Sequence, residues 1–345
     1  MTIRVLRAGL LATVQDRGRA GFQHLAIVPG GAMDTVSHRV ANALVGNFGE
    51  LADAATLEVA LAGPELEFES DALIALHGAR FDSQLDGAPM PGSRPVRVQA
   101  GARLRIGHAV EGAFGYLAIA GGIAVPQVLG SRSTYLPAGF GGLGGRAIAR
   151  GAVLPLAADA AQLAEARYSR VGRTGRRAQR GSIETVRWSA PLFTLPATDP
   201  LIVRVVDGVH AELFSTESRE SFLRERWRVA AESNRMGYRL QGAKLALMAP
   251  REIVSQGVAF GTVQVPADGQ PIALMADRQT TGGYPRIAEV VCADVPRLAQ
   301  AAPGHATLRF KRVGLEAADA ARGDLERRVV DLIERLRWEY GNEAH

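Results

Sequence analysis

The sequence contains one cysteine, Cys292, in 345 residues. A single thiol excludes an internal disulfide bond and any cluster of thiolate metal ligands. Apolar residues flank this cysteine, with Val290 and Val291 before it and Ala293 after it. The pattern predicts a buried strand residue rather than a catalytic thiol, because reactive cysteines need solvent access and nearby positive charge.

Lysine is almost as rare, since Lys244 and Lys311 are the two lysines in the chain. Arginine therefore carries nearly all of the positive charge behind the formal net charge of +5. The arginines are scattered and not interleaved with aromatic residues, so we expect no nucleic-acid partner. The two lysines leave few candidates for a Schiff base, and the Met-Lys-Met motif of a biotin carrier is missing.

Long apolar runs are also missing, so the sequence predicts no membrane-spanning segment and no membrane partner. The amino-terminal residues 1–7 alternate in character at once and lack the three regions of a signal peptide. We therefore expect a cytoplasmic protein.

Several catalytic motifs are missing as well. The glycine-rich stretch at 139–145 has no Gly-Lys-Ser/Thr after it and no βαβ context, so it is neither a Walker loop nor a dinucleotide fingerprint. The chain has no Gly-x-Ser-x-Gly elbow, no paired-histidine motif and no carboxylate-rich metal pattern. We predict no metal site in this chain. An enzymatic role would need activation supplied by another chain.

Short strands separated by glycine and proline dominate what is present, which predicts a mainly β protein with a few helices. Many short strands in each half predict two β-barrel-like domains, at 1–190 and 191–312, followed by a helix within 313–345. Helices are also expected at 35–45, capped by Asp34 or Thr35 and ended by Gly46, and at 215–224. Strands are predicted at 66–69, 72–76, 96–99, 103–106, 201–206, 237–240, 262–265, 287–291 and 307–310.

Between the two halves, residues 157–187 hold many arginines. We interpret this stretch as a solvated linker or flap, with an anion or nucleotide contact as the alternative. The arginines in question are Arg167, Arg170, Arg173, Arg176, Arg177 and Arg180.

Four segments could carry chemistry. The run 277–286 combines a carboxylate, an amide, two hydroxyls, a phenol and two cations with a Gly-Gly pair that lets the backbone approach a ligand. The run 232–240 adds an amide, a guanidinium and a phenol, a set suited to recognising a carboxylate or an amide. Residues 13–19 with 29–34, and the glycine-rich loop 139–145, could bind a polar ligand or an anion. The structural alternatives are a tight turn for 277–286, a domain-contact loop for 232–240, a salt-bridged loop for 13–19 with 29–34, and an ordered loop for 139–145. Single glutamines at 256, 264 and 270 lead into the run 277–286, although buried amides are more often structural.

These segments match one family in order along the chain. The matching motifs lie at 13–16, 30–34, 118–123, 233–240 and 277–286. On these motifs the chain resembles the C subunit of bacterial 5-oxoprolinase, in the family also called biotin-dependent carboxyltransferase or allophanate hydrolase subunit 2. It is similar to the carboxyltransferase domain of urea carboxylase. The arginine-rich tract at 167–180 and the residues after 312 fall outside the resemblance.

The resemblance implies two cyclophilin-like β-barrel domains. It also implies a complex with the A and B subunits of 5-oxoprolinase, which hydrolyses 5-oxo-L-proline to L-glutamate with ATP. The nucleotide would be bound through a partner chain. Matching positions make Arg235, Asp277 and Tyr284 the candidate catalytic residues. The candidate substrate-binding residues are Asn234, Tyr238, Gln279, Thr280, Thr281, Gly282, Gly283 and Arg286.

Two alternatives stay open. In the carboxyltransferase branch of the family, carboxybiotin on a separate carrier would deliver CO₂ to an amide nitrogen such as that of urea. The cleft would then polarise the ureido carbonyl. Other relatives are named for antagonising a kinase inhibitor, which would make the chain a regulatory binding protein. Either catalytic branch acts on a small-molecule amide, and the runs 234–238 and 277–286 are expected to line one cleft.

Overall fold

A computed structural model describes residues 1–173, 177–180 and 183–341. The chain divides into two compact units. The first contains Met1–Arg19, Asp34–Leu195 and the residues from Arg328 onward, and the second contains Ala20–Met33 and Pro196–Arg327. Strands dominate both units, and five α-helices occur in the described ranges. The predicted fold class, mainly β with a few helices, is confirmed.

The first unit is built from two sheets. Its strands are β1 (Thr2–Arg7), β2 (Leu11–Gln15), β3 (Thr56–Ala60), β4 (Glu65–Phe68), β5 (Ala72–Phe81), β6 (Gln84–Leu85), β7 (Ala88–Pro89), β8 (Val96–Val98), β9 (Arg103–Arg105), β10 (Ala109–Ile119), β11 (Val153–Pro155), β12 (Arg177–Arg180) and β13 (Ile183–Val186). One sheet has the order β11-β1-β4-β9-β6-β7 and the other β12-β13-β8-β5-β10-β3-β2. Asp86 and Gly87, a dipeptide typical of hairpin turns, join β6 to β7 with positive φ at both residues.

One hydrophobic core draws on both sheets. Alternate residues of β4, Leu66 and Phe68, are fully buried in it, and Leu57 and Ile74 enter it from the second sheet. Strand β5 is buried along its first eight residues because α1 also packs against it. Burial on both faces explains why this strand reads as a continuous apolar run in the sequence.

Helix α1 (Thr35–Leu44) forms where the sequence predicts it. The Asp34 side chain accepts a hydrogen bond from Ser37 N at 2.9 Å, which satisfies a backbone donor of the first turn. The helix ends before Gly46, whose φ of 73° is unfavourable for residues with a Cβ. Both predicted helix boundaries are confirmed within one residue.

The arginine-rich stretch is not the solvated linker that the sequence predicts. Its first part is helix α2 (Ala160–Arg173), and its last part, β13, joins the seven-stranded sheet. Ala160, Ala164, Tyr168 and Val171 are buried at helical spacing, and this buried stripe holds α2 in place. The high arginine content of this stretch is why the sequence analysis did not identify the buried stripe. Arg176 lies outside the described residues.

The second unit contains a closed barrel. Its strands are β14 (Leu201–Asp207), β15 (Trp227–Val229), β16 (Gly237–Gln241), β17 (Gln256–Gly257), β18 (Thr262–Gln264), β19 (Ile272–Leu274), β20 (Thr281–Gly282), β21 (Arg286–Val290) and β22 (Thr307–Arg312). The barrel order is β14-β21-β18-β19-β16-β15-β22, and β17 pairs separately with β20. Closure leaves no open sheet edge. The predicted barrel is confirmed here.

Three further helices are α3 (Thr216–Arg224), α4 (Val295–Ala299) and α5 (Leu315–Glu339). The prediction for Cys292 is wrong, because this residue is exposed in the turn between β21 and α4. Its neighbours Val291 and Ala293 are buried individually and do not continue a strand. Among the described helices, none is both long enough and apolar enough to cross a membrane.

Candidate functional site

The topology of the second unit brings two of the predicted runs together. Strands β16 and β19 are antiparallel, with Gly237 opposite Leu274. The residues just before β16 therefore lie beside the residues just after β19. The Asp277 amide continues this pairing by donating to Arg235 O at 2.8 Å. The runs 234–238 and 277–286 are therefore neighbours at their starts.

A buried ion pair joins these runs. Arg235 Nε donates to Asp277 Oδ2 and Arg235 Nη2 to Asp277 Oδ1, both at 2.9 Å. Arg235 Nη2 also donates to Gly31 O at 2.6 Å. Both side chains are buried, with 5% of Arg235 and 2% of Asp277 exposed. These two candidate catalytic residues thus bind each other and a third segment, which is the geometry of a structural clamp.

Two candidate substrate-binding residues in the first run also have local partners. Tyr238 is fully buried, and its hydroxyl donates to Ala299 O at 2.8 Å. Asn234 is exposed, and its Oδ1 accepts from Met236 N at 2.8 Å, which fixes an Asx turn. The Tyr238 hydroxyl faces the protein interior, so its contribution is to the barrel.

The second run forms a small ribbon after Asp277. Strand β20 pairs with β17, and Val258 N donates to Thr280 O at 3.1 Å. Arg286 anchors the far end by donating to Gly257 O at 3.1 Å and to Gln256 Oε1 at 2.6 Å. Thr281 is exposed and Gln279 and Thr280 are half-buried, so the ribbon presents amide and hydroxyl groups near the surface.

A histidine missed by the sequence analysis supports the same ribbon. Arg286 N donates to His210 Nδ1 at 3.2 Å. Burial lowers the pKa of His210, and the positive charges of Arg286 and Arg251 lower it further. A neutral ring can accept this hydrogen bond, which holds the start of β21 in place.

A cavity of about 800 Å³ adjoins the ribbon. Gly283, Tyr284 and Pro285 line one side of it, and Lys244 and Arg251 are among the lining residues of the loops opposite. Tyr284 is 49% exposed, so its ring is available to a ligand. The volume is within the range of small-molecule sites, and the lining offers aromatic, apolar and cationic groups.

Beneath the ribbon, one face of β18 and β21 carries polar residues. The sequence analysis gave these residues little weight or did not identify them. Thr262 lies opposite Glu289, and its hydroxyl donates to Glu289 Oε2 at 2.7 Å. Burial raises the pKa of Glu289. Gln264, two residues further along β18, is 3% exposed. The i, i+2 spacing of Thr262 and Gln264 is the sequence signal for a shared face.

In the first unit, the segment 13–19 forms a salt-bridged, hydrogen-bonded loop. The Asp16 carboxylate accepts from the hydroxyls of Ser131 and Ser133, each at 2.6 Å, and from Gly18 N at 2.8 Å. Arg17 forms an exposed ion pair with Asp53 at 3.1 Å. The structural alternative raised by the sequence is confirmed for this segment.

A buried polar row crosses the seven-stranded sheet beside that loop. Thr13 lies opposite Glu58, Glu58 opposite Tyr116, and Tyr116 opposite His77. The Tyr116 hydroxyl donates to Glu58 Oε2 at 2.9 Å and accepts from Asp34 N at 2.7 Å. Burial raises the pKa of Tyr116, so the phenol stays protonated and can donate.

The glycine-rich loop 139–145 packs on itself. A Cβ at Gly142 would lie 1.9 Å from Thr134 Oγ1, and a Cβ at Gly145 would lie 2.0 Å from the Gly139 backbone. These glycines are needed for close packing of an ordered loop. Across the described residues, no group of three or more His, Cys, Asp or Glu side chains is arranged to hold a metal ion.

The sequence matches a known family. The family model "Carboxyltransferase domain, subdomain A and B" matches residues 25–312. The chain belongs to this carboxyltransferase family. The resemblance inferred from the five motifs is confirmed.

Individual relatives agree with the family match. The C subunit of 5-oxoprolinase from Escherichia coli is 39% identical over 341 residues, which is 99% of each chain. The C subunit of 5-oxoprolinase from Haemophilus influenzae is 36% identical and covers 95% of this chain and 99% of its own. The crystal structure of Kluyveromyces lactis urea carboxylase superimposes with a TM-score of 0.83 at 29% identity. That match covers 96% of this chain and 29% of the longer urea carboxylase chain.

Proposed function

We propose that the chain is the C subunit of a cytoplasmic, ATP-dependent 5-oxoprolinase that hydrolyses 5-oxo-L-proline to L-glutamate. The observation that carries this proposal is the end-to-end match to the Escherichia coli protein, at 39% identity over 99% of both chains. A match of that extent supports a subunit of the same kind. The urea carboxylase match, in contrast, covers a minor part of a longer chain.

The cavity beside the ribbon is the proposed substrate site. A lactam with a carboxylate needs a polar group for the amide and a cation for the carboxylate. The ribbon offers Gln279, Thr280 and Thr281, and the cavity lining offers Lys244 and Arg251. Tyr284, half-exposed at the cavity, is the proposed contact for the ring.

The clamp residues have a different proposed role. Arg235 and Asp277 bind each other, Arg235 also donates to Gly31 O, and together they hold the ribbon where substrate binds. They are positioning residues in this proposal. Gly282 and Gly283 let the ribbon approach the ligand, and Arg286 fixes its far end.

We assign ATP to a partner chain, which is either the A or the B subunit of the complex. The ordered loop 139–145 supports this assignment, because Gly141, Gly142 and Gly145 pack closely against other protein atoms. When bound, ATP would phosphorylate the lactam oxygen. This chain's part is to bind and orient the lactam and to exclude bulk water from the cavity.

A second candidate function is a carboxyltransferase component that uses biotin on a separate carrier. The superposition with urea carboxylase at a TM-score of 0.83 favours it. The same cavity would then hold urea or another amide while carboxybiotin delivers CO₂. Both functions need recognition of an amide group.

Reconstitution separates these functions. The chain is combined with candidate A and B subunits from the same genome, and glutamate formation from 5-oxo-L-proline and ATP is measured. We expect turnover with all three chains and none with the isolated chain. A Gln241→Leu chain, changed at an exposed glutamine of β16, should match the wild type.

Two outcomes would contradict the proposal. Turnover by the isolated chain would remove the need for partners. A complex that is inert toward 5-oxo-L-proline but carboxylates urea with a biotinylated carrier would establish the second function instead.

A further inference from the structure

Gln264 is a buried amide whose carbonyl oxygen has no protein partner. Its side chain is 3% exposed on β18. Gln264 Oε1 makes no hydrogen bond to any residue that the structure describes. A buried polar atom left unpaired is costly, so its retention calls for an explanation such as a ligand.

The donors around Gln264 are committed elsewhere. Arg286 is opposite Gln264 in the ladder, yet its guanidinium donates to Gly257 O and Gln256 Oε1. The Thr262 hydroxyl, on the same face of β18, donates to Glu289. Neither neighbour therefore donates a hydrogen bond to the carbonyl oxygen of Gln264.

Gln264 points toward the predicted ribbon. A Cβ built on Gly282 would lie 3.1 Å from Gln264 Oε1 and 3.5 Å from Gln279 Nε2. Both carboxamides thus converge on the same glycine, where a side chain would crowd Gln264 Oε1 and also Val258 Cγ1, which lies 3.2 Å from the same Cβ position. One offers an acceptor at this point and the other a donor.

We propose that Gln264, together with Gln279, forms a recognition site for a planar amide whose N–H and C=O lie on one edge. A lactam has this edge because its ring holds the amide cis, and urea has it because of its two amino groups. Gln264 Oε1 can accept from the N–H of such an edge and Gln279 Nε2 can donate to its C=O, so two hydrogen bonds can form. Naming the ligand as the substrate rests on the proposed function, since both candidate reactions act on such an amide.

A second buried glutamine shows what distinguishes Gln264. Gln15 is fully buried and its Oε1 also lacks a partner among the described residues. Gln15 Nε2, however, donates to Thr13 Oγ1 at 3.0 Å and to Thr134 O at 3.1 Å. Those contacts fix Gln15 within its own unit, whereas Gln264 faces a glycine in a loop next to a cavity.

The test measures binding to the purified full-length chain by ligand-observed NMR. The probes are 5-oxo-L-proline and its N-methyl derivative, which has lost the N–H donor. We expect the N-methyl compound to bind about tenfold or more weakly, because an analogue without the hydrogen-bonding group leaves buried polar atoms unpaired. Gln264→Leu should weaken 5-oxo-L-proline to the same degree and remove the discrimination, with Gln241→Leu as the unchanged control.

Gln264→Met keeps the side-chain length but removes the carbonyl acceptor, and it provides a second variant if Gln264→Leu does not fold. The inference is overturned if the wild-type chain binds neither probe, if it binds both equally, or if Gln264 variants that fold keep their discrimination. Failure of the proposed function looks different: the chain would bind the lactam with the expected selectivity, yet the reconstituted complex would not hydrolyse it.

Discussion

Arg235 and Asp277, 42 residues apart in the sequence, form a two-bond ion pair that is closed to solvent. The pair lies where the residues just before β16 meet the residues just after β19. Because Arg235 also donates to Gly31 O, one guanidinium fixes three segments of the second unit.

Breaking the clamp should destabilise the protein. We expect Asp277→Asn and Arg235→Gln each to cost about 3–5 kcal/mol of unfolding free energy, because one buried charge is left uncompensated. Thermal and denaturant unfolding of the purified variants check this. An unchanged melting temperature with lost turnover would instead make both residues part of the chemistry.

The matched control for the clamp is an exposed ion pair of the same unit. Arg312 pairs with Asp207, and the two side chains are 62% and 45% exposed. Asp207→Asn should change the free energy of unfolding by about 1 kcal/mol or less, because exposed pairs gain little over their hydration.

Substitutions at the two candidate site tyrosines, Tyr238 and Tyr284, should have opposite effects on stability and on substrate binding. Tyr238→Phe removes a buried hydrogen bond to Ala299 O and should cost about 0.5–1.5 kcal/mol of stability without altering substrate affinity. Tyr284→Ala, at a half-exposed position, should change stability by about 0.5 kcal/mol or less and weaken substrate binding. Melting curves and KM values of both variants give the comparison. The reverse pattern would exclude the cavity as the substrate site.

Stability should fall in mild acid. Burial lowers the pKa of His38 to about 4 and that of His77 to about 3, from an ordinary value of 6.5. The unfolded chain therefore binds more protons than the folded chain below pH 6.5. The contribution of both residues is complete above pH 6.5 and is lost as the pH falls toward 4 and then 3.

Melting temperatures between pH 7 and pH 4 test this sign. His77→Gln should flatten the dependence if the variant folds, because one group that titrates differently in the two states is removed. His108→Gln, at an exposed histidine of the same unit, should leave the slope unchanged. A stability that rises on acidification would contradict the burial of both rings.

Cys292 should react in the native protein. An exposed thiol in a turn is open to a water-soluble disulfide reagent, so one thiol per chain should be modified without denaturant. Colorimetric titration before and after unfolding measures this. Reaction only after unfolding would instead show that Cys292 is buried, as its flanking valines predict.

Local signals in the sequence placed most elements correctly. Asp34 and Gly46 bracket α1 because capping chemistry and positive φ act within a few residues. The prediction for Cys292 is wrong because Val291 and Ala293 are each buried in the segment that turns between β21 and α4, and neither forms part of a strand. The start signal of α4, Asp294 followed by Pro296, marks that turn in the sequence.

The candidate site depends on contacts that no local signal contains. Composition identified the runs 234–238 and 277–286, yet their proximity arises from the pairing of β16 with β19. Gly31 reaches Arg235 across 204 residues of sequence. The sequence named Gln264 as one of several glutamines, and the structure distinguished it by its unpaired carbonyl oxygen and by Gly282 beside it.

The contact between Gly31 and Arg235 also constrains how the polypeptide can be divided. Residues Ala20–Met33 belong to the second unit although they precede most of the first in the chain. During synthesis this segment is made long before Arg235, so the contact between Gly31 and Arg235 cannot form until residue 235 has been added. A fragment that starts at Pro196 would lack Gly31 and therefore the carbonyl that Arg235 Nη2 binds. Neither unit is encoded by a single uninterrupted stretch of the gene.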